Sequence, residues 1–120
     1  MDKLVFCWRR VPELSREEAQ RYWREQHAPL VTRLASTLGI TRYVQVHTTP
    51  DAESYGGRSA RSAPEPYDGV AELWFDADAA TGSAEERRAA VQALLEDERH
   101  FIDHARSPLW IGEERSIIEP

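Results

Sequence analysis

The sequence predicts a single α+β domain whose elements follow one another in the order β-α-β-β-α-β. Four short runs are rich in Val, Ile and aromatic residues, which is typical of strands. Between them, two longer segments have apolar residues at helical spacing, and each begins with a Ser-x-x-Glu capping box. This order predicts the ferredoxin-like arrangement, in which two helices cover one face of a four-stranded antiparallel sheet.

The first strand is predicted over residues 3–9, KLVFCWR, and a helix follows from Ser15. The Ser15 hydroxyl would accept a hydrogen bond from the first turn while Glu18 reaches back to the cap. We expect a kink or break at His27–Pro29, because proline lacks a backbone donor and disfavours helical geometry in the residue before it. Gly39 is placed to end the helix in the left-handed conformation.

The second strand is predicted over residues 40–47, ITRYVQVH. Alternation divides its side chains between two faces, with Ile40, Val44 and Val46 on one and Tyr43, Gln45 and His47 on the other. The next segment, residues 48–66, is polar and contains Gly-Gly and three prolines, so we predict a loop. A loop of this length in a compact domain is usually functional or partly disordered.

The second half of the chain repeats the pattern. A third strand is predicted over residues 67–75, YDGVAELWF. Its two faces carry Val70, Glu72 and Trp74 on one side and Ala71, Leu73 and Phe75 on the other. Ser83 and Glu86 form a second capping box, which opens a helix predicted to run to about His104. A final strand is predicted over residues 109–118, LWIGEERSII.

The length and composition fit one domain spanning residues 1–120. A hydrophobic fraction of 41% is sufficient for one core in a chain of 120 residues. The predicted strands have bulky side chains on both faces, whereas the helices can cover only one. A second copy of the sheet would cover the other face, so we expect a homodimer.

The charge balance narrows the class of partner. A net charge of −6 argues against nucleic acid and against an anionic membrane surface. No stretch approaches the ~20 apolar residues of a membrane span, and the N-terminus does not have the pattern of a signal peptide. The single cysteine, Cys7, excludes an intrachain disulfide and is interpreted as a small buried strand residue. We expect a cytoplasmic protein that binds a small hydrophobic molecule.

Four segments carry a family resemblance. They are RRVPELSREEAQRYWREQHAPLV, RYVQVH, PEPYDGVAELWF and EDERHFIDHARSPLWIGEE. The most specific piece is H-x-P-L, formed by His27, Pro29 and Leu30 after a Tyr-Trp pair. Together the segments resemble the EthD branch of the dimeric α+β barrel superfamily. The resemblance implies a dimeric barrel with a cleft between sheet and helices in each subunit. It does not imply one reaction, because relatives include polyketide cyclases, dehydratases, cofactor-independent oxygenases and isomerases.

His27, Tyr43 and Gln45 are the predicted catalytic residues. An imidazole titrates near neutral pH, so His27 can exchange a proton with a reacting oxygen or an acidic carbon. Tyr43 and Gln45 would donate to an enolate or oxyanion if their strand face looks into the cleft. The alternatives are that His27 caps the broken helix by bonding a free carbonyl, and that the polar stripe faces solvent or the dimer seam.

Predicted substrate-binding residues are Trp23, His47, Glu72, Trp74 and Phe101. The aromatic residues are plausible walls for a flat ligand, although aromatics at this spacing also form ordinary core. Glu72 stands in an apolar strand, where it would act as a base of raised pKa or form an ion pair with an arginine. No metal is expected, because H-x-H and H-E-x-x-H spacings are absent from the sequence.

The functional hypothesis is a cofactor-independent enzyme acting on an aromatic or polyketide-like molecule. His27 would shuttle the proton, and Tyr43 or Gln45 would stabilise the oxyanion during cyclisation or dehydration. One alternative is a cofactor-free monooxygenase or isomerase of aromatic degradation, and another is a non-catalytic module that binds hydrophobic ligands. In a haem-handling protein, the third alternative, His27 or His47 would be the axial ligand.

Overall fold

The computed structural model describes residues 2–51 and 56–120 and has the predicted element order. The strands are β1 (Asp2–Trp8), β2 (Ile40–His47), β3 (Gly69–Phe75) and β4 (Leu109–Glu113). They form one sheet in the order β2-β3-β1-β4, with every neighbouring pair antiparallel. The α+β, ferredoxin-like prediction is therefore confirmed. In the described part of the chain, no helix is long and apolar enough to cross a membrane.

The first helical segment is continuous through the predicted break. It consists of α1 (Arg16–Tyr22), a π-helical turn (Trp23–His27) and α2 (Ala28–Leu38). The Ser15–Glu18 capping box is present at its start, and Gly39 ends it at φ 77°, as predicted.

The π-helical turn takes the place of the expected kink. The Ala28 N–H donates to the carbonyl of Trp23, five residues back. Pro29 then lies in the first turn of α2, where a missing N–H breaks no bond of the new helix. The proline therefore changes the helix from α to π geometry locally without breaking it, and such turns are frequent at functional sites.

The second long helix, α4 (Ala84–Glu98), begins with the predicted Ser83–Glu86 capping box. It ends at Glu98, so the prediction that it runs to about His104 is wrong. The chain beyond it instead pairs with the segment after β1, since the Val11 N–H donates to the Phe101 carbonyl over 3.0 Å. Tertiary hydrogen bonds thus override the helical pattern, and His104 lies in a separate 3₁₀ turn.

Other boundaries also differ from prediction. β1 covers residues 2–8 rather than 3–9, and β3 begins at Gly69 rather than at residue 67. The segment predicted as a loop, residues 48–66, contains a short helix, α3 (Gly56–Ala60), and part of it lies outside the described residues. β4 ends at Glu113 rather than residue 118, because Glu113 pairs with Asp2, the first residue of β1. Beyond that pair, no described residue of β1 remains with which β4 could form hydrogen bonds.

The core fills one end of the space between helices and sheet. Trp8, Trp23 and Phe101 are almost completely buried, and Trp8 meets the other two rings edge-on at 5.1 and 5.2 Å. Gly69 makes this packing possible, because a Cβ there would lie 2.5 Å from Trp8 Nε1 and 2.6 Å from Trp23 Cζ3. The other end of the same space is less filled.

The register of β2 decides which side chains face the helices. Tyr43 pairs with Leu73 across the strands, while a bulge shifts the register between Ile40 and Arg42. Ile40 consequently lies on the helix side with Tyr43, and its predicted grouping with Val44 is wrong because the bulge adds one residue to the alternation.

The sheet face turned away from the helices is open in the described part of the chain. Alternation along the strands places on it Val5, Cys7, Val44, Val46, Val70 and Trp110. Val46 and Trp110 are each 48% exposed, and Cys7 is half-buried. Although the Lys3–Glu72 ion pair shares this face, so many apolar side chains are unusual on a sheet face that meets water.

Candidate functional site

A cavity of ≈ 260 Å³ lies between the sheet and the helices, beside the aromatic core. Apolar residues supply most of its walls, among them Leu4, Phe6, Ala71, Leu73, Val31, Leu94 and Leu95. Among the described residues, the lining includes three polar side chains with titratable groups, those of His27, Tyr43 and Glu98. The first comes from the π-helical turn, the second from β2 and the third from the last residue of α4.

His27 is buried, with 5% of its surface exposed. Its Nδ1 lies 2.7 Å from Oδ2 of Asp97, and the Phe101 ring packs against the imidazole at 5.4 Å. The side chain makes no capping hydrogen bond to the helix, so the alternative in which His27 caps a broken helix is wrong. The ring is instead held by a carboxylate, and its other nitrogen, Nε2, lies 3.8 Å from Oε2 of Glu98, which also lines the cavity.

Asp97 fixes the protonation pattern of this pair. Burial would raise the pKa of Asp97, but hydrogen bonds from Tyr22 and His27 outweigh it and hold that pKa below its usual value. An ionised carboxylate only accepts hydrogen bonds, so Nδ1 of His27 must carry a proton. The neutral imidazole therefore has its free lone pair on Nε2.

Tyr22 supports Asp97 from the other side. Its hydroxyl donates to Oδ1 of Asp97 over 2.6 Å. Burial, together with the neighbouring carboxylate, raises the pKa of Tyr22 to about 12. Tyr22 is therefore a neutral donor at any physiological pH, and the Asp97 carboxylate is bonded through both of its oxygens.

Glu98 brings a second carboxylate to the imidazole. Its Oε2 lies 3.8 Å from Nε2 of His27, too far for a hydrogen bond but close enough for one ligand oxygen to contact both. Its Oε1 lies 3.0 Å from Nε2 of His104, which holds the carboxylate in place. The Glu98 side chain is 18% exposed, so its charge is only partly screened by water.

Tyr43 is oriented by its neighbours on β2. The Gln45 amide donates to the Tyr43 oxygen over 2.8 Å and to the Trp23 carbonyl over 3.2 Å. Burial raises the pKa of Tyr43 despite the opposing effect of Gln45, so the phenol is neutral at physiological pH. Because the phenol oxygen accepts from Gln45, its own hydrogen is not used in that bond and remains available as a donor.

His47 completes this row behind the cavity wall. Its Nε2 lies 2.7 Å from Oε1 of Gln45, and its ring packs on Trp23 at 4.5 Å. Burial, aided by the positive charge of Arg24, lowers the pKa of His47. The neutral imidazole therefore donates to the Gln45 carbonyl and turns the amide group towards Tyr43.

The predicted site residues are divided by the fold. His27, Tyr43 and Trp23 line the cavity, whereas Gln45 and Phe101 lie directly behind the wall. His47 is also behind it, in contact with Trp23. The polar stripe of β2 thus faces the helices.

Glu72 and Trp74, predicted to bind substrate, lie on the opposite face of the sheet. Glu72 pairs with Nζ of Lys3 at 2.5 Å, and the Trp74 ring lies between Lys3 and Arg42 at 4.8 and 4.4 Å. Neither side chain reaches the cavity, so this geometry does not support their predicted part in binding. The ion-pair interpretation of Glu72 applies, with a lysine in place of the expected arginine.

Sequence reasoning missed three residues of the site, Tyr22, Asp97 and Glu98. Glu98 had a signal, because it is a carboxylate in the apolar stripe of its helix. Asp97 stands in the run EDER, where nothing distinguishes it from solvated charges. Among the described residues, no three His, Cys, Asp or Glu side chains are arranged to hold a metal ion.

Comparison with known proteins gives the family. The EthD domain matches residues 11–105, which include His27, Asp97 and Glu98. The chain belongs to the EthD domain family. Among curated proteins, none matches the sequence significantly.

Three solved structures have the same fold. An ethyl tert-butyl ether D (EthD) family protein from Bacillus halodurans is 20% identical with a TM-score of 0.57, over 96% of this chain and 99% of that one. An EthD-like protein from Ralstonia eutropha is 22% identical with a TM-score of 0.55, over 96% of each chain. HapK from Hahella chejuensis is 10% identical with a TM-score of 0.57, over 100% of this chain and 98% of that one.

Proposed function

We propose that this EthD-domain protein is a cofactor-independent enzyme that moves protons on a small aromatic or polyketide-like molecule. One observation carries the proposal: His27 and Glu98, two acid–base groups whose side chains approach within 3.8 Å of each other, both line a mainly apolar cavity. The hydrogen bond from His27 to Asp97 supports it, since a buried carboxylate behind an imidazole orients the ring and stabilises its protonated form.

The proposed first step is removal of a proton from a carbon next to a carbonyl group. Nε2 of His27 takes that proton, and the Tyr43 hydroxyl donates to the oxygen on which negative charge develops. Glu98 accepts a hydrogen bond from a hydroxyl group of the substrate and holds it beside His27. The resulting imidazolium is stabilised by the charge of Asp97.

In the second step, His27 returns its proton. When the proton goes to a hydroxyl group on the neighbouring carbon, water leaves and a double bond forms, which is a dehydration. In a ring closure, the carbanion attacks a second carbonyl of the same molecule and the proton goes to the new alkoxide. The apolar walls would hold a flexible chain near the geometry that either step requires.

Other outcomes share the first step. A carbanion formed beside His27 could react with oxygen, as in a cofactor-free monooxygenase, or be reprotonated elsewhere in an isomerase. The apolar cavity also favours one non-catalytic function, storage or transport of a hydrophobic ligand. In that case, replacing His27 would leave ligand affinity unchanged and no proton transfer would be found.

The proposed enzyme is a homodimer. Val46 and Trp110 are half exposed on the open sheet face, which no described element of the chain covers. Two such faces can pack as a sandwich, with their apolar side chains interdigitated. Burial of this surface would offset the small core of a domain of this size.

Deuterium incorporation into tetralone tests the proposal without knowledge of the natural substrate. Tetralone is a bicyclic aromatic ketone with exchangeable hydrogens next to its carbonyl, and exchange in heavy water is followed by NMR. The protein should accelerate exchange, and His27→Gln should reduce the acceleration by about 100-fold or more. Glu96→Gln is the control, because the Glu96 side chain is exposed, is bonded by Gln92 and lies outside the cavity. A protein that gives no acceleration, or a His27→Gln variant as fast as wild type, would contradict the proposal.

A further inference from the structure

The cavity carries a charge pattern that bears on ligand choice. We propose that it selects neutral ligands with a hydroxyl donor, such as phenols or enols, and rejects carboxylates, and that Glu98 sets this preference. The proposal rests on the proposed function only in using the same cavity. It concerns binding, so it can be tested without turnover.

Among the described residues, the lining of the cavity includes negative charge and no fixed positive charge. Glu98 lines the cavity and Asp97 lies directly behind His27, whereas the described lining residues include no lysine or arginine. Protonation of His27 would neutralise one of the two carboxylates. Protonation of His104, 3.0 Å from Glu98, would neutralise the other. A third imidazole, the exposed ring of His100, lies 3.7 Å from Oδ1 of Asp97, so the cluster has a net positive charge only if all three imidazoles are protonated at once.

The hydrogen-bonding capacity of Glu98 also favours a hydroxyl donor over a carboxylate. Its Oε1 is used by His104, and Oε2 faces His27 at 3.8 Å without bonding it. A carboxylate oxygen only accepts, so a ligand hydroxyl that donates to Oε2 would satisfy it. A ligand carboxylate offers acceptors alone and would place like charges a few ångströms apart in a partly desolvated site, which is strongly unfavourable.

Tyr43 gives such a hydroxyl its second partner. The phenol hydrogen of Tyr43 is free to donate because its oxygen accepts from Gln45. One ligand hydroxyl can therefore accept from Tyr43 and donate to Glu98. The cavity volume of ≈ 260 Å³ is slightly below that of pockets for drug-sized molecules, about 300–1,000 Å³, which suits one or two fused rings.

Three probes with the same naphthalene ring system test the effect of ligand charge. They are naphthol, naphthamide and naphthoate, each substituted at the same ring position, and their affinities are measured by calorimetry near neutral pH. Naphthol and naphthamide should bind, and naphthoate should bind at least about tenfold more weakly than naphthamide. Glu98→Gln should reduce that ratio to about threefold or less, because the glutamine amide can donate to the carboxylate.

Glu96→Gln is the matched control. Glu96 lies two residues before Glu98 on the same helix, is exposed and is bonded by Gln92. Its replacement by glutamine therefore removes one charge without changing the cavity. This variant should keep the wild-type ratio. Equal binding of naphthamide and naphthoate to wild type would overturn the proposal, as would no binding of naphthol or an unchanged ratio in a folded Glu98→Gln variant. If Glu98→Gln does not fold, the ratio of the naphthamide and naphthoate affinities of wild type decides whether the proposal stands.

The outcome is independent of catalysis. Selective binding of naphthol with no exchange of tetralone would refute the proposed enzyme and leave the ligand preference standing. Exchange of tetralone with no discrimination against naphthoate would refute the ligand preference and leave the proposed enzyme standing.

Discussion

His27 and Asp97 form a hydrogen bond of 2.7 Å between the π-helical turn and the end of α4, two elements that are seventy positions apart in the chain. The bond has two consequences. It ties the two long helical segments together at the level of the cavity. It also leaves Nε2 of His27 unused by Asp97, at 3.8 Å from Oε2 of Glu98 in the wall of the cavity that Tyr43 also lines.

The first prediction concerns Asp97. Asp97→Asn removes the charge that fixes the His27 tautomer and stabilises the imidazolium, so tetralone exchange should fall about tenfold or more. Binding of naphthol should change by less than about threefold, because Asp97 does not line the cavity. The two values are measured on the same preparation by NMR and calorimetry, with Glu96→Gln as the control. A variant that exchanges tetralone at the wild-type rate would show that Asp97 has only a structural part.

The second prediction is an alkaline loss of stability through Tyr22. The pKa of Tyr22 rises from 10.0 to about 12 on folding, because of burial and the Asp97 carboxylate. A raised folded pKa means that the stabilisation is complete below the unfolded value and is lost as the pH rises through the folded one. Tyr22→Phe should therefore be less stable than wild type near neutral pH, by about 1.5–3 kcal/mol.

The difference in unfolding free energy between wild type and Tyr22→Phe should shrink between about pH 10 and pH 12. Urea unfolding of both proteins across the range measures it, and subtraction of the two curves removes the titration of every other group. If the difference in unfolding free energy stays constant up to pH 12, Tyr22 releases its proton equally in the folded and the unfolded protein. That result would contradict the raised pKa of Tyr22.

The third prediction concerns the space above Gly69. Gly69→Ala places a Cβ 2.5 Å from Trp8 Nε1 and 2.6 Å from Trp23, so the buried ring pair must shift. We expect a loss of about 1–3 kcal/mol of unfolding free energy, as for other overpacked cores. Gly112→Ala is the control in the same sheet, where the nearest atom lies at 3.8 Å, and it should change stability by less than about 0.5 kcal/mol. Equal stability of both variants would contradict the packing described here.

The fourth prediction tests the homodimer. Val46→Glu puts a charge on the open sheet face, at a side chain that is half exposed within one chain, so the subunit itself should still fold. Wild type should run as a dimer by light scattering and Val46→Glu as a monomer at the same concentration. Gln92→Glu, on the exposed side of α4, should remain dimeric. A wild-type protein that is monomeric at high micromolar concentration would refute this proposal.

Much of the fold could be predicted from local signals. Both capping boxes and the left-handed Gly39 are signals carried by a few neighbouring residues, and each is present in the structure. The end of α4 was predicted wrongly because the backbone beyond Glu98 bonds to the segment after β1, and no local pattern reports such a distant partner. The bulge at Ile40 was missed for the same reason.

The candidate site could be predicted only in part. His27 and Tyr43 stand out in sequence because each has an unusual position, one at a proline-disturbed helix and the other in a polar stripe on a strand. Trp74 was included because alternation defines two faces of a strand without saying which one the helices cover. Asp97 was missed because its role depends on a contact with His27, and a charged residue in a charged run carries no sign of its partner.

The most direct test of the account is the NMR spectrum of the His27 ring nitrogens, with and without bound naphthol. In the neutral ring, we expect the proton on Nδ1 and a bare Nε2, because Nδ1 donates to Asp97. Naphthol should shift the Nε2 resonance of His27 more than that of any other histidine. A neutral ring protonated on Nε2, or a His27 signal that naphthol leaves unchanged, would contradict the central claim that this nitrogen meets the ligand.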